Sequence, residues 1–255
     1  VTFDVIVVVI LVLVALFAVV PLLVVVSASF TPYSEVLANG GYKLLPTGFT
    51  LDGYKAIWTD TNLPRAMMIS TFVTVVGTTL NMLLSTGLAW PLSRKELPGR
   101  TPLLLALIFT TVFNAGVIPT YLVVQATGLL NTIWAMIIPS AMSVFNVFIM
   151  KTFFEGLPEE LVEAARLDLF YMVANWETFM PAVFYVRDQA LQPLQVVLRD
   201  LLTTNVEAEF DPEEVTPTAT LRMAAVVLTA LPMLIVFPFI QKHFQKGVLI
   251  GAVKS

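Results

Sequence analysis

The chain has no cysteine, a single histidine and little charge. Without cysteine there can be no disulfide, no thiolate nucleophile and no Cys-ligated metal, and the redox compartment leaves no trace. The one histidine, His243, lies in the tail, and neither H-E-x-x-H nor the phosphate-cradling G-x-x-x-x-G-K-[ST] loop occurs. Charged residues make up 13% of the 255 positions, against about 25% in a typical soluble domain. The 14 Lys and Arg are scattered, with Arg94-Lys95 the longest cluster, which sets nucleic-acid binding aside.

What the chain does have is apolar length. Hydrophobic residues account for 57% of the sequence, with a mean hydropathy of +0.85. A bilayer core about 30 Å thick is crossed by roughly 20 apolar residues in helical form, because hydrocarbon offers no partner to an open backbone amide. The runs here are long and not ten-residue alternations, so the expected fold class is all-α: a polytopic membrane protein of about six transmembrane helices. The expected spans are 5–29, 66–93, 102–118, 131–150, 169–186 and 218–240. For the first run a cleaved signal peptide is the rival, but the run is too long and is preceded by Asp4 instead of a basic residue. Segment 30–65, broken by Pro32, Asn39-Gly40-Gly41, Pro46 and Pro64, reads as an irregular loop outside the hydrocarbon. In 66–93 the small residues Ser70, Thr71, Thr74, Gly77, Thr78, Thr79, Ser85, Thr86 and Gly87 read as a helix packed closely on other helices.

Lys and Arg are retained in the cytoplasm during insertion. Segments 1–4, 94–101, 151–168 and 241–255 hold eight of them in 45 residues, against five in 79 for 30–65, 119–130 and 187–217. Both termini are therefore expected in the cytoplasm, and the acidic loop 187–217 outside.

That places segment 155–168 on the cytoplasmic face. Pro158 sits where a helix can begin, with Glu159 and Glu160 in its first turn, where negative charge suits the dipole. Leu157, Leu161, Ala164, Ala165 and Asp168 fall at helical spacing with Glu163 beside them, giving a shallow apolar face with acidic flanks. Such a helix suits the groove of a cytoplasmic partner, or is a solvated link between spans. Asn175, Trp176 and Glu177 are polar groups within an expected span, where they face the bundle interior or a watery path. An aromatic ring beside amide and carboxylate suits a sugar, and a purely structural hydrogen-bonding role stays equally open. Asn81, Asn114 and Asn146 read first as helix–helix hydrogen bonders, and Arg222 as a snorkelling or paired cation.

Glu163-Ala164-Ala165 followed by Arg166-Leu167-Asp168 resembles the opening of the EAA motif of binding-protein-dependent ABC importer permeases. The likeness continues in Pro91 to Arg100, Gly116 to Tyr121, Asn131 to Ala135, Val144 to Val147, Lys151 to Phe154 and Lys246 to Gly251, all similar to the LplC-like carbohydrate branch and to MalG-like permeases. It implies a type I importer permease fold and an oligosaccharide as cargo. The implied partners are a second homologous permease, two ATP-binding subunits and an extracytoplasmic sugar-binding protein. It further implies that ATP and Mg are held by the partner subunits and no cofactor or metal by this chain. Pro158, Glu159, Glu160, Leu161, Glu163, Ala164, Ala165 and Asp168 would couple to the ATPase, while Asn146, Tyr171, Asn175, Trp176 and Glu177 would line the pathway.

The family motif continues after its aspartate with Gly-Ala and an apolar stretch, whereas here Asp168 meets Leu169-Phe170-Tyr171 directly. A stretch is thus expected to be missing between Asp168 and Leu169. As a helix 169–186 reaches only about 27 Å. Two other function classes compete. A stand-alone ion- or proton-coupled carrier needs internal repeats and membrane carboxylates, of which only Glu177 qualifies, and an intramembrane enzyme lacks a base beside any nucleophile.

Overall fold

The computed structural model describes residues 2–38, 43–46, 48–113, 115–156, 174–203 and 218–252, and among them there is helix but no strand. The all-α expectation holds. Three described helices are long and apolar enough to cross a membrane: α1 (Thr2–Phe30), α4 (Leu63–Ser93), and the final helix, Thr218–Ala252, through its stretch Ala219–Pro238. A fourth crossing is available if α5 (Arg100–Val112) and α6 (Val117–Ala126), which pass the same test only together, form one bent span.

The chain divides into two compact units. The first comprises residues 1–64 and 197–234. Within it α1 is exposed from residue 5 to residue 23 and becomes buried only at Ser27, Ala28 and Ser29. The irregular loop expected over 30–65 contains two helices, α2 (Tyr33–Ala38) and α3 (Asp52–Asp60). Local contacts explain the order: Phe30 stacks on Phe49 and meets Tyr54 at a tilt, each pair with ring centroids 5.2 Å apart, and the Ser29 hydroxyl lies 2.8 Å from that of Tyr54. Thr220 Oγ1 donates to the Thr31 carbonyl at 3.0 Å, and a Cβ on Gly53 would sit 3.1 Å from the Thr220 carbonyl oxygen. Glycine there lets α3 lie against the last helix.

The second unit comprises residues 65–196 and 235–255. Its larger core gathers Val73, Val124, Ala135, Met136, Ile137 and Tyr185 with their neighbours, and its smaller one Ala89, Leu92, Val147 and Met150. Two expected spans are broken here. Instead of one helix over 131–150 there is a single turn, α7 (Trp134–Ile137), then non-helical chain to Ser143, then α8 (Val144–Gly156). Pro139 has no N–H to continue the ladder. The Ser140 hydroxyl donates instead to the carbonyls of Met136 and Ile137, and Ser143 Oγ accepts the Asn146 N–H as an N-cap for α8.

The described part of 169–186 is interrupted as well: residues 174–176 are helical, 177–179 are not, and α9 (Met180–Tyr185) restarts with Pro181 in its first turn. Beyond it, loop 187–217 carries α10 (Leu194–Thr203) before the described chain stops, and resumes with α11 (Thr218–Ala252). The junction Asp168–Leu169 lies outside the described residues.

Candidate functional site

Helix α4 has a polar seam. Ser70, Thr74, Thr78, Asn81 and Ser85 recur every three or four residues, which puts them on one face, and all five are buried. A buried hydroxyl or amide needs partners, and for Ser70, Thr78 and Asn81 they come from other segments of the same unit. Ser70 Oγ accepts the backbone N–H of Leu194 at 2.6 Å, taking up an amide that the first turn of α10 leaves open. Thr74 Oγ1 turns back to the Ser70 carbonyl at 2.7 Å.

Asn175 Nδ2 donates to Thr78 Oγ1 at 3.3 Å. With the Asn81 amide assigned so that its nitrogen faces carbonyl oxygens, it donates to Ala141 at 2.7 Å and to Ser140 at 3.3 Å, and its oxygen accepts from Asn175 Nδ2 at 3.0 Å. One side chain on α4 therefore satisfies carbonyls freed by the Pro139 break and holds the residue just ahead of the 177–179 break. Gly77 makes room for this: a Cβ there would lie 2.7 Å from Asn175 Oδ1.

The expected pathway residues divide along this seam. Asn175 is 5% exposed and already bonded to α4, so its observed contacts are those of a packing residue. Trp176 beside it is 8% exposed, and its Nε1–H finds no acceptor among the described residues. Glu177 is exposed, and Asn146 is half-buried at the start of α8. Tyr171 lies outside the described residues, as do all the expected coupling residues Pro158, Glu159, Glu160, Leu161, Glu163, Ala164, Ala165 and Asp168, and Asn114.

Three features escaped the sequence reading. Asn131 adopts the left-handed conformation with φ of 59°; its N–H donates to the Tyr185 carbonyl at 2.8 Å and its Oδ1 accepts the N–H groups of Arg187 and Asp188 at 3.0 and 2.7 Å. The Ser70–Leu194 bond joins residues far apart in sequence. At the end of α8, both oxygens of Glu155 are engaged, one by Arg100 and one by Lys151 at 2.8 Å. Among the described residues no cluster of three or more His, Asp or Glu could hold a metal ion.

The described residues give long apolar helices and a buried polar seam along α4, and comparison with known proteins gives this a family. No protein-family model matches the chain. It is 39% identical to the polygalacturonan/rhamnogalacturonan transport system permease protein YtcP of Bacillus subtilis (strain 168), over 94% of each chain. It is 39% identical to protein LplC of the same strain, over 92% of this chain and 89% of that one. The crystal structure of a bacterial ABC transporter involved in the import of the acidic polysaccharide alginate contains a chain with TM-score 0.85 and 26% identity, matching 95% of this chain and 96% of that one. The YtcP alignment runs over 270 positions, whereas 94% of 255 residues is about 240, so about 30 aligned positions have no counterpart here. The chain belongs to the permease subunits of carbohydrate ABC importers, and its task is sugar transport across a membrane.

Proposed function

We propose that this permease forms half of a translocation pathway with a second, homologous permease, above two ATPase subunits that hold ATP and Mg and hydrolyse the nucleotide, and receives its sugar from an extracytoplasmic binding protein. The observation that carries this reading is the match to a carbohydrate transport permease along 94% of both chains. Both termini lie in the cytoplasm, as the Lys and Arg distribution indicates.

Within the cytoplasmic coupling segment 155–168, the stretch 157–168 is the docking element, with Glu163-Ala164-Ala165 seated on an ATPase. The positions without counterpart in the YtcP alignment fit a stretch missing directly after Asp168, where the family motif would continue. Closure of the ATPases draws the coupling segments together and reorients the spans, a coupling between distant sites carried by rigid elements. Trp176 and Glu177 face the sugar along the path, while Asn175 holds the wall. Two of the similar proteins are named for polygalacturonan/rhamnogalacturonan and for alginate, so an oligosaccharide of uronic acids is the first cargo to test.

The test is Glu163→Lys in the complete transporter, reconstituted in vesicles and supplied with galacturonate oligosaccharides. A reversed charge at a docking face costs enough to lower ATP-driven uptake by about tenfold, with the permease still inserted. Uptake at the wild-type rate would sink the coupling role. Uptake by this chain without ATPases would return the stand-alone carrier.

A further inference from the structure

Three elements of the second unit meet where α8 delivers the chain to segment 157–168. α4 ends at Ser93, a turn closed by Gly99 (φ 81°) follows, and α5 begins at Arg100. Arg100 Nε donates to the Leu92 carbonyl at 2.9 Å, taking up an acceptor left open at the end of α4. Its Nη2 donates to Glu155 Oε1, and Lys151 Nζ donates to Glu155 Oε2 at 2.8 Å. The carboxylate is therefore held from the start of α5 and from its own helix.

An aromatic contact stands beside the ionic one. Phe154 meets Trp90 edge to face with centroids 5.4 Å apart, and the Arg94 guanidinium lies 4.4 Å from the Trp90 ring centre. Beneath both, Ala89 and Leu92 of α4 pack with Val147 and Met150 of α8. Gly156 is the last described residue before the coupling segment.

We propose that Arg100, Glu155 and Lys151 form a clamp that transmits displacement of segment 157–168 to the ends of α4 and α5, making Glu155 a positioning residue for coupling. The inference rests on the coupling role given to that segment above. Without a clamp, a pull on residue 157 would be absorbed by unwinding the last turn of α8, since helix ends fray at little cost. Charge-assisted bonds to both carboxylate oxygens and a T-shaped aromatic pair oppose that. The Lys151 hydrogen bond first, then the positive charges of Lys151 and Arg100, hold the Glu155 carboxyl below its ordinary value of 4.5 in spite of partial burial. A carboxyl depressed in the folded state contributes above its ordinary value and loses the contribution as pH falls through the depressed one, so the clamp is closed at neutral pH.

The experiment uses the whole transporter in proteoliposomes, with galacturonate oligosaccharides as the probe and sugar moved per ATP hydrolysed as the readout. Glu155→Gln and Arg100→Gln should each lower that ratio about fivefold, the low end for coupled sites because the pair is partly exposed. The double variant should be no worse than either single one, Glu155→Asp should recover part of the loss, and the ATPases should co-purify undiminished. A wild-type ratio in Glu155→Gln while Glu163→Lys uncouples would remove the clamp and leave the coupling segment standing. Loss of the ATPases in Glu155→Gln would make Glu155 merely structural and overturn the clamp. A wild-type ratio in both Glu155→Gln and Glu163→Lys would bring down the coupling reading itself.

Discussion

Helices α1 and α4 are both long enough to cross a bilayer, yet they are built on opposite plans. In the most apolar 18-residue stretch of α1 no residue is buried within the protein, whereas a third of the corresponding stretch of α4 is. α1 is led by Val, Leu and Ile; α4 carries Ser70, Thr74, Thr78, Asn81 and Ser85 on its buried face. In lipid, apolar surface draws a helix into the membrane but gives it no preference for another helix, since acyl chains are as apolar as leucine. Small and polar side chains supply that preference, by letting backbones approach and by pairing across the contact.

The contrast breaks most readily at Asn81. Asn81→Leu leaves the Ser140 and Ala141 carbonyls and the Asn175 amide without this partner, and should cost about 1–3 kcal/mol. Thermal unfolding of the purified permease would read it, and an unchanged midpoint would deny the seam its role. Next comes Gly77→Ala, whose Cβ would press on Asn175 Oδ1 at a cost of about 1–2 kcal/mol. Combining it with Asn175→Ala sharpens the test, because the obstacle is then gone and the second loss should not add to the first. Smallest is Leu13→Ala on α1, a residue 60% exposed, which should stay within about 0.5 kcal/mol. A loss there as large as that of Asn81→Leu would mean that α1 also depends on a protein neighbour.

The sequence showed α1 and α4 clearly because an unbroken apolar run is a local signal, independent of anything the run touches. It also marked α4 as a packing helix, but without sorting its hydroxyls: Thr71 and Thr79 belong to the same list as Thr74 and Thr78, yet are exposed where those are buried. The breaks around Pro139 and before Pro181 were legible as prolines and missed as interruptions, since a proline within a span does not by itself end the helix: Pro21 and Pro91 lie inside α1 and α4. α2 and α3 were missed for the opposite reason, being short, and α3 is held by contacts of its Gly53 and Tyr54 with Thr220 and Phe30 instead of by a period of its own. Arg100 and Glu155 stand 55 residues apart, a separation at which no spacing rule operates. Of the candidate site, the neighbours Asn175 and Trp176 are both buried, a fact that sequence position alone does not carry, and neither does it carry the bond that ties the first of them to Thr78.

The corner at Asn131 leaves evolution a narrow choice. A backbone with φ of 59° welcomes glycine and tolerates asparagine, and turns most other residues away. Glycine would satisfy the torsion yet surrender the carbonyl that gathers the amides of Arg187 and Asp188. Asparagine answers both demands at once, as its isostere aspartate would, so substitution at this position is confined by two unrelated requirements.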